Sequence, residues 1–218
     1  FFGILTYALE EDSYDYKDYE DINLESHLRS QSCSCKYKPM ADFNLTAYLQ
    51  MIDLYGTYSK YGLVTVCRVL NTEIKSCGTV ETNIYGYYQH RGKIYYFKII
   101  CNTTEDSMKT GQFLADCEFV KDTRPDSSLS KYQVNMTVID TDYENYAIIY
   151  NCIDEGFGIE DNIEIVQTNI YSCDDTIEEA LQKKGEKLKE FIPRNATYCM
   201  NHGKQDENSG KQVGKKEK

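Results

Sequence analysis

Short runs of β-branched and aromatic residues alternate with turn-forming clusters along most of the chain. The breaks carry Gly, Asn, Asp, Pro or Ser, as at Arg91-Gly92. Seven runs stand out: Gly62–Leu70, Thr79–Tyr88, Lys93–Cys101, Gly111–Val120, Tyr132–Ile139, Tyr143–Cys152 and Ile163–Tyr171. Apolar residues recur at every second position of the run 132–139, which places Tyr132, Val134, Met136 and Val138 on one face. Seven or eight short strands at this spacing predict an all-β antiparallel sandwich or barrel.

The pattern changes near residue 174, where an apolar stripe at helical spacing follows the strands. Asp174 is a typical N-cap, and acidic residues fill the first turn. The stripe consists of Ile177, Ala180, Leu181, Leu188, Phe191 and Ile192, and Pro193 ends it. We therefore predict one C-terminal amphipathic helix that packs its apolar side on the outside of the sheet.

Four segments follow from the distribution of polar and apolar residues. Residues 1–8 resemble the end of a signal peptide, and residues 9–32 form an acidic, Tyr-rich leader that we expect to be disordered. One folded domain is expected over 33–200, followed by a polar, disordered tail over 201–218. No stretch approaches the about 20 apolar residues that span a bilayer. The net charge of −11 argues against a nucleic-acid partner.

The cysteines and glycosylation motifs indicate a secreted protein. Four Asn-x-Ser/Thr motifs predict N-glycosylation at Asn44, Asn102, Asn135 and Asn195. The nine cysteines include no Cys-x-x-Cys pair, and the three histidines lie far apart, so we predict disulfides and no metal site. An odd cysteine count leaves at least one thiol free. We expect a monomer, with that thiol as a route to a disulfide-linked dimer.

Three local motifs stand out: Cys35-Lys-Tyr-Lys-Pro39 leading into Asp42-Phe43, then Cys77-Gly78, and finally Thr141-Asp142-Tyr143 with the downstream Tyr146, Tyr150 and Cys152. Together they resemble the lipocalin family, in particular its insect bilin-binding and apolipoprotein-D-like group, which includes salivary and venom proteins. The resemblance covers about Cys35 to Cys199. It implies an eight-stranded up-and-down barrel that closes on itself and holds a small ligand in its cup.

The resemblance also implies disulfides and inward-facing residues. It pairs Cys35 with Cys152 and Cys77 with Cys199, while Cys101 and Cys117 could join neighbouring strands. The pairing of Cys33, Cys67 and Cys173 stays open. On the strand after Tyr143 it points Ala147, Ile149 and Asn151 into the barrel as ligand-binding residues, and Tyr146, Ile148 and Tyr150 outward. The family's first strand carries Gly-x-Trp; the matching stretch here is Gln50-Met51-Ile52, and the family's basic residue over that Trp is missing from 170–173.

The chain shows no nucleophile elbow, no phosphate-binding glycine loop and no His-Glu-x-x-His motif, so we predict a binding protein without cofactor, not an enzyme. The first hypothesis is extracellular binding of a small hydrophobic or amphipathic ligand in the barrel. The alternative for Ala147, Ile149 and Asn151 is that they only fill the core.

The second hypothesis concerns a different class of function. Tyr14, Tyr16 and Tyr19 have acidic neighbours, which is the context of tyrosine sulfation. A sulfated leader could bind a basic protein surface, such as that of a coagulation protease, and inhibit it. The alternative is a solvated acidic leader with no specific partner.

Overall fold

The computed structural model describes residues 36–61, 65–154, 159–171 and 174–208. The strands are β1 Leu54–Ser59, β2 Thr65–Ile74, β3 Thr79–His90, β4 Lys93–Thr104, β5 Gln112–Asp122, β6 Lys131–Thr141, β7 Tyr146–Asp154, β8 Ile159–Gln167 and β9 Ile192–Pro193. The helices are α1 Leu45–Tyr48, α2 Glu105–Met108, α3 Asp175–Lys183 and α4 Ala196–Asn208, and two 3-10 turns cover Ser76–Gly78 and Leu188–Glu190. Each of the seven predicted runs overlaps a strand.

The strands form one closed antiparallel barrel. Strands β2 to β8 pair in chain order, β8 pairs with β1, and β1 returns to β2 over residues 54–56. The short strand β9 adds to β1 from the C-terminal side. This confirms the predicted eight-stranded up-and-down lipocalin barrel. Closure leaves the first and last barrel strands paired with each other, so neither presents a free edge.

The N-terminal segment closes one end of the barrel. Tyr48 of α1 and Met51 after it are buried in the interior cluster, and the N–H of Met40 donates to the carbonyl of Val138 at 3.0 Å. Asn44 caps α1 through its side chain, and its own N–H donates to the hydroxyl of Tyr143 at 2.8 Å. Because β6 ends beside the N-terminal segment and neighbouring strands are antiparallel, the β3–β4 hairpin and the β5–β6 connection lie at the opposite end.

The predicted C-terminal helix exists but is about half as long as expected. Ile177, Ala180 and Leu181 of α3 pack on the outside of β6, β7 and β8, as predicted. The helix ends at Lys183 because Gly185 takes a left-handed conformation and the N–H of Glu186 donates back to Leu181, in a Schellman arrangement. Beyond this turn Phe191 still joins the outer cluster, whereas Ile192 is exposed in β9.

A second helix, α4, was not predicted. It continues to Asn208, so the prediction of a disordered tail from residue 201 is wrong over 201–208, while residues 209–218 lie outside the described part. Buried Ala196 and Cys199 hold α4 against the outer face of β2 and β3. None of the helices described is long and apolar enough to cross a bilayer. Residues 1–8 and the leader 9–32 also lie outside the described part, and their assignments stay predictions.

The disulfides correct one predicted pair and confirm another. Cys67 of β2 bonds to Cys199 of α4, so the prediction that Cys199 pairs with Cys77 is wrong. Cys77 is free and exposed in the turn between β2 and β3. Cys101 and Cys117 are directly opposite each other on β4 and β5 and form the predicted bond.

One further described cysteine, Cys152, lies in β7. Cys152 is disulfide-bonded. Its implied partner, Cys35, lies outside the described residues together with Cys33 and Cys173, so that pair stays a prediction.

The first strand lies later in the sequence than the resemblance placed it. Gln50-Met51-Ile52 precedes β1, and the strand itself carries Gly56-Thr57-Tyr58, a Gly-x-Tyr in place of Gly-x-Trp. The Tyr58 side chain packs with the outer cluster, and its hydroxyl donates to Asp174 at 2.6 Å. The barrel interior next to Gly56 is instead occupied by arginine side chains.

Candidate functional site

Strand β7 presents its residues to the two sides of the barrel wall as predicted. Ala147 and Ile149 are buried in the interior cluster, and Asn151 lines an interior cavity. Tyr146, Ile148 and Tyr150 belong to the outer cluster beneath α3. The alternation follows from the pleat of a strand, in which successive side chains point to opposite faces.

A buried group of charged residues, here called the central cluster, lies on the inner side of the wall that β2, β1 and β8 form. Arg68 of β2 donates through Nη1 to both carboxylate oxygens of Glu164 on β8, at 2.7 and 2.8 Å. Arg194, which follows β9, donates through Nη2 to the same carboxylate at 3.1 Å. Each of these three side chains is 6% exposed or less. The central cluster thus holds two guanidiniums and one carboxylate, a surplus of one positive charge.

Arg194 reaches the interior through a gap in the barrel wall. β1 pairs with β2 only over residues 54–56, and beyond that point the chain around Arg194 fills the space between the two strands. The N–H of Arg194 donates to the carbonyl of Thr57, and the N–H of Asn195 donates to the carbonyl of Val66, both at 2.8 Å. A Cβ on Gly56 would lie 3.3 Å from Cβ of Arg68 and 3.7 Å from Cδ of Arg194. Glycine at this position therefore leaves room for both arginine side chains.

The charges of the central cluster depend on one another. Burial by itself would raise the pKa of Glu164, but the guanidiniums of Arg68 and Arg194 hold that pKa below its ordinary value. Burial lowers the pKa of Arg194 to about 10, and the carboxylate of Glu164 opposes that shift. Glu164 and Arg194 are accordingly both charged at neutral pH.

A small cavity adjoins the central cluster. Its volume is about 20 Å³, which is room for about one water molecule. Its lining is apolar apart from Arg68, Glu164 and Asn151, and includes Leu70, Ile84, Cys101, Val134, Met136 and Ile149. The Oδ1 of Asn151 is buried there without a hydrogen-bond partner, and its Nδ2 lies 3.4 Å from Glu164. Among the described residues, this part of the interior is thus an apolar cup with one polar patch.

The motif Thr141-Asp142-Tyr143 of the resemblance forms a turn between β6 and β7. The carboxylate of Asp142 accepts the N–H groups of Glu144, Asn145 and Tyr146 at 3.0, 2.7 and 3.1 Å. Although burial opposes the change, these hydrogen bonds lower the pKa of Asp142. Thr141 donates to the carbonyl of Tyr146 at 2.6 Å. The motif therefore fixes the β6–β7 connection.

The predicted modification sites lie on different surfaces. Asn102, Asn44 and Asn195 are exposed, and Asn135 is half-buried on the outer wall, where its Oδ1 lies 3.4 Å from Nε2 of Gln112. Glycosylation of these four asparagines stays a prediction. Tyr14, Tyr16 and Tyr19 lie outside the described residues, so their sulfation stays a prediction as well.

The sequence analysis missed all three members of the central cluster. A signal was present for two of them, because Arg68 and Glu164 are the only charged residues of the predicted runs 62–70 and 163–171. A buried charge at an inward position of a barrel strand requires a partner of opposite charge. Arg194 follows Pro193 in an irregular segment, and no periodicity marks it.

Comparison with known proteins places the chain in a family. The family model described as Triabin matches residues 25–184. Pallidipin of Meccus pallidipennis is 31% identical over 77% of this chain and 88% of its own length. Platelet inhibitor triplatin-2 of Triatoma infestans is 24% identical over 80% of this chain and 90% of its own length.

Solved structures support the same fold. The tryptamine complex of the amine binding protein of Rhodnius prolixus superimposes with a TM-score of 0.62 and 18% identity. The superposition covers 82% of this chain and 95% of that one. Similarity at this level of identity shows a shared barrel.

Proposed function

Since this chain belongs to the Triabin family, we propose that it binds and sequesters a small hydrophobic or amphipathic molecule inside its barrel, outside the cell. The observation that carries the proposal is the apolar interior with a single polar patch, which is the usual construction of a small-molecule site. The disulfides support the extracellular setting, because they persist in oxidising compartments.

The charge of the central cluster restricts the polar group of the ligand. Glu164 already receives hydrogen bonds from two guanidiniums, so it has little capacity left for the ammonium group of an amine. The surplus positive charge favours a ligand whose polar group accepts hydrogen bonds, such as a carboxylate or a hydroxyl. Amines, the ligand class of the Rhodnius prolixus structure, are therefore disfavoured here.

A ligand larger than water must displace interior side chains. Met136 lines the cavity beside Asn151, and its unbranched thioether can change rotamer more easily than the β-branched residues around it. We propose that ligand binding moves Met136 and occupies its space. Ala147, Ile149 and Asn151 would then line the occupied cup.

The fluorescent acid 11-(dansylamino)undecanoic acid and the related amine dansylcadaverine test the barrel site. We expect the acid to bind with enhanced emission and the amine to bind at least about tenfold more weakly. Met136→Ala should tighten binding of the acid by about tenfold, because the thioether no longer has to move. Met40→Ala, at the closed end, is the matched control and should leave the affinity unchanged.

Two results would contradict the barrel site: no binding of either probe, or equal affinities of the wild type and Met136→Ala. Native mass spectrometry of protein purified from its source tissue is an independent test that would identify the natural ligand. A co-purified small molecule that leaves on denaturation is the expected result.

A second candidate function is inhibition of a host protein through the protein surface and the acidic leader. The small size of the interior cavity lined by described residues favours it, because a cavity of about 20 Å³ holds no organic ligand without rearrangement. The name of the relative platelet inhibitor triplatin-2 agrees with such a role.

Clotting-time and platelet-aggregation assays test this alternative with the full chain and with a Tyr14→Phe, Tyr16→Phe, Tyr19→Phe variant. If sulfated tyrosines bind the target, the triple variant loses the inhibition while its unfolding midpoint is unchanged. Equal inhibition by both proteins would exclude a role for those tyrosines.

A further inference from the structure

A second cavity lies at the open end of the barrel, away from the central cluster. Its volume is about 450 Å³, and it lies between the β3–β4 hairpin and the β5–β6 connection. The lining residues, here called the rim site, are His90, Arg91, Lys93, Tyr95, Arg124, Pro125 and Asp126. Side chains of two separate connections thus converge on one concave space that is wide enough for a small organic molecule.

The rim site is cationic although the chain as a whole is strongly acidic. Arg91, Lys93 and Arg124 contribute three positive charges against the single carboxylate of Asp126. None of the three cations forms an ion pair with another described residue, in contrast to Arg68 and Arg194 inside the barrel. Three cations beside one carboxylate still repel one another, and a bound anion would relieve this repulsion.

Two hydrogen bonds fix the backbone of Arg124, and its guanidinium forms no ion pair with a described residue. Its N–H donates to Oδ1 of Asp122 at 2.8 Å, and its carbonyl accepts from the hydroxyl of Ser127 at 3.0 Å. The two carboxylate oxygens of Asp122 also accept from the Tyr88 hydroxyl at 3.0 Å. The Nε of Arg124 is buried and has no hydrogen-bond partner. A buried donor without a partner is costly, and an oxygen of a bound anion would satisfy it.

The rim site also offers a flat apolar surface. Tyr95 and Pro125 line it beside the cations, and the ring of Tyr95 lies 5.8 Å from the ring of Tyr88. Aromatic rings at such distances stabilise a further planar group by offset or edge contacts. The combination of cations with an aromatic wall selects for both charge and shape.

We propose that the rim site binds a small molecule in which an anionic oxygen group, a phosphate or a carboxylate, is attached to a planar apolar part. Arg124, Lys93 and Arg91 hold the anionic group, and Tyr95 with Pro125 contacts the planar part. Burial and the neighbouring Arg124 and Arg91 lower the pKa of His90, so its neutral imidazole adds a hydrogen-bonding group there. This inference does not depend on a ligand inside the barrel.

Isothermal titration of the full-length protein with phenyl phosphate, benzoate and uncharged benzyl alcohol tests the rim site. We expect phenyl phosphate or benzoate to bind, with an affinity that falls as salt rises, and benzyl alcohol not to bind. The tighter of the two acids identifies the preferred anionic group. Arg124→Gln should weaken that acid at least about tenfold, the loss expected for one charge-assisted hydrogen bond.

Matched variants separate a local effect from a general loss of positive charge. Lys93→Gln removes an exposed cation of the rim site, and Lys109→Gln removes an exposed cation at the other end of the barrel. Weakening by Lys93→Gln but not by Lys109→Gln supports the proposal. Equal effects of both variants, or an unchanged affinity in Arg124→Gln, overturn it.

The Met136→Ala variant distinguishes the two sites. It should leave binding of the small acids unchanged while altering binding of the dansyl probe. Arg124→Gln should leave binding of the dansyl acid unchanged, because Arg124 does not line the barrel cavity. Loss of that binding in Arg124→Gln would place the probe in the rim site and contradict the barrel site.

Discussion

Glu164→Gln is expected to lower the free energy of unfolding by about 3–5 kcal/mol, because it leaves two buried guanidiniums without a counter-charge. Arg68 and Arg194 both donate to this carboxylate, and their side chains are 6% and 3% exposed. A glutamine offers one acceptor oxygen and no charge, so it satisfies them only in part. Urea unfolding followed by circular dichroism would measure the loss.

Glu118→Gln is the matched control for Glu164→Gln. Glu118 pairs with Lys131 on the outside of the barrel, where both side chains are exposed. Exposed pairs contribute about 0–1 kcal/mol, so this variant should unfold at nearly the wild-type urea concentration. A similar loss in both variants would mean that the central cluster is less buried or less tightly bonded than its geometry indicates.

The same carboxylate predicts a pH dependence. Because folding lowers the pKa of Glu164, its contribution to stability is fully present above the unfolded-state pKa of about 4.3. The contribution is lost as pH falls from there through the lower folded-state pKa. Between pH 5 and pH 3, the wild type should therefore lose more stability than Glu164→Gln. Parallel losses in the two proteins would contradict the assignment.

Removal of the Cys67–Cys199 disulfide is expected to have the second large effect. The bond closes a loop of 132 residues, for which the chain-entropy model gives about 5 kcal/mol. It also fastens α4 to β2, next to the segment that carries Arg194 into the barrel. A Cys67→Ala, Cys199→Ala variant should show this loss in urea unfolding. Its central cluster should also become more accessible, as faster amide hydrogen exchange in β1 and β2.

Two further cysteine variants provide stability losses with which this one can be compared. The Cys101–Cys117 bond closes only 16 residues, so its removal should cost about 3 kcal/mol in the same model. Cys77→Ser should change stability by less than about 0.5 kcal/mol, because the side chain is free and exposed. A larger loss for Cys77→Ser than for the Cys67 and Cys199 pair would contradict the observed pairing.

Local backbone geometry explains why the barrel strands were predictable. Side chains alternate between the two faces of a strand, so the pattern of β7 sufficed to place Ala147 and Ile149 inside and Tyr150 outside. The start of α3 was predictable for a similar reason, since its first turns bury Ile177 and Leu181 at helical spacing. Its end was not, because the apolar stripe continues past Gly185 and gives no sign of the Schellman turn.

The cysteines show where the sequence stops being informative. The pair Cys101–Cys117 lies on adjacent strands of one hairpin, so local register brings the two residues together. The partner of Cys199 depends on where α4 crosses the barrel, and the structure places it over β2 at Cys67, away from Cys77 in the following turn. Cysteine spacing carries no information about such a crossing.

The strand pattern of the sequence therefore determined an antiparallel all-β class and the two faces of its strands, and the resemblance to the lipocalins narrowed that class to a closed barrel. Only the tertiary structure decided what the barrel contains. Glu164 meets Arg68 across 96 residues of sequence and Arg194 across 30, and the gap between β1 and β2 decides that Arg194 enters the interior at all. Periodicity reports which face a residue occupies, whereas charge pairing and interior volume depend on which distant segments meet there.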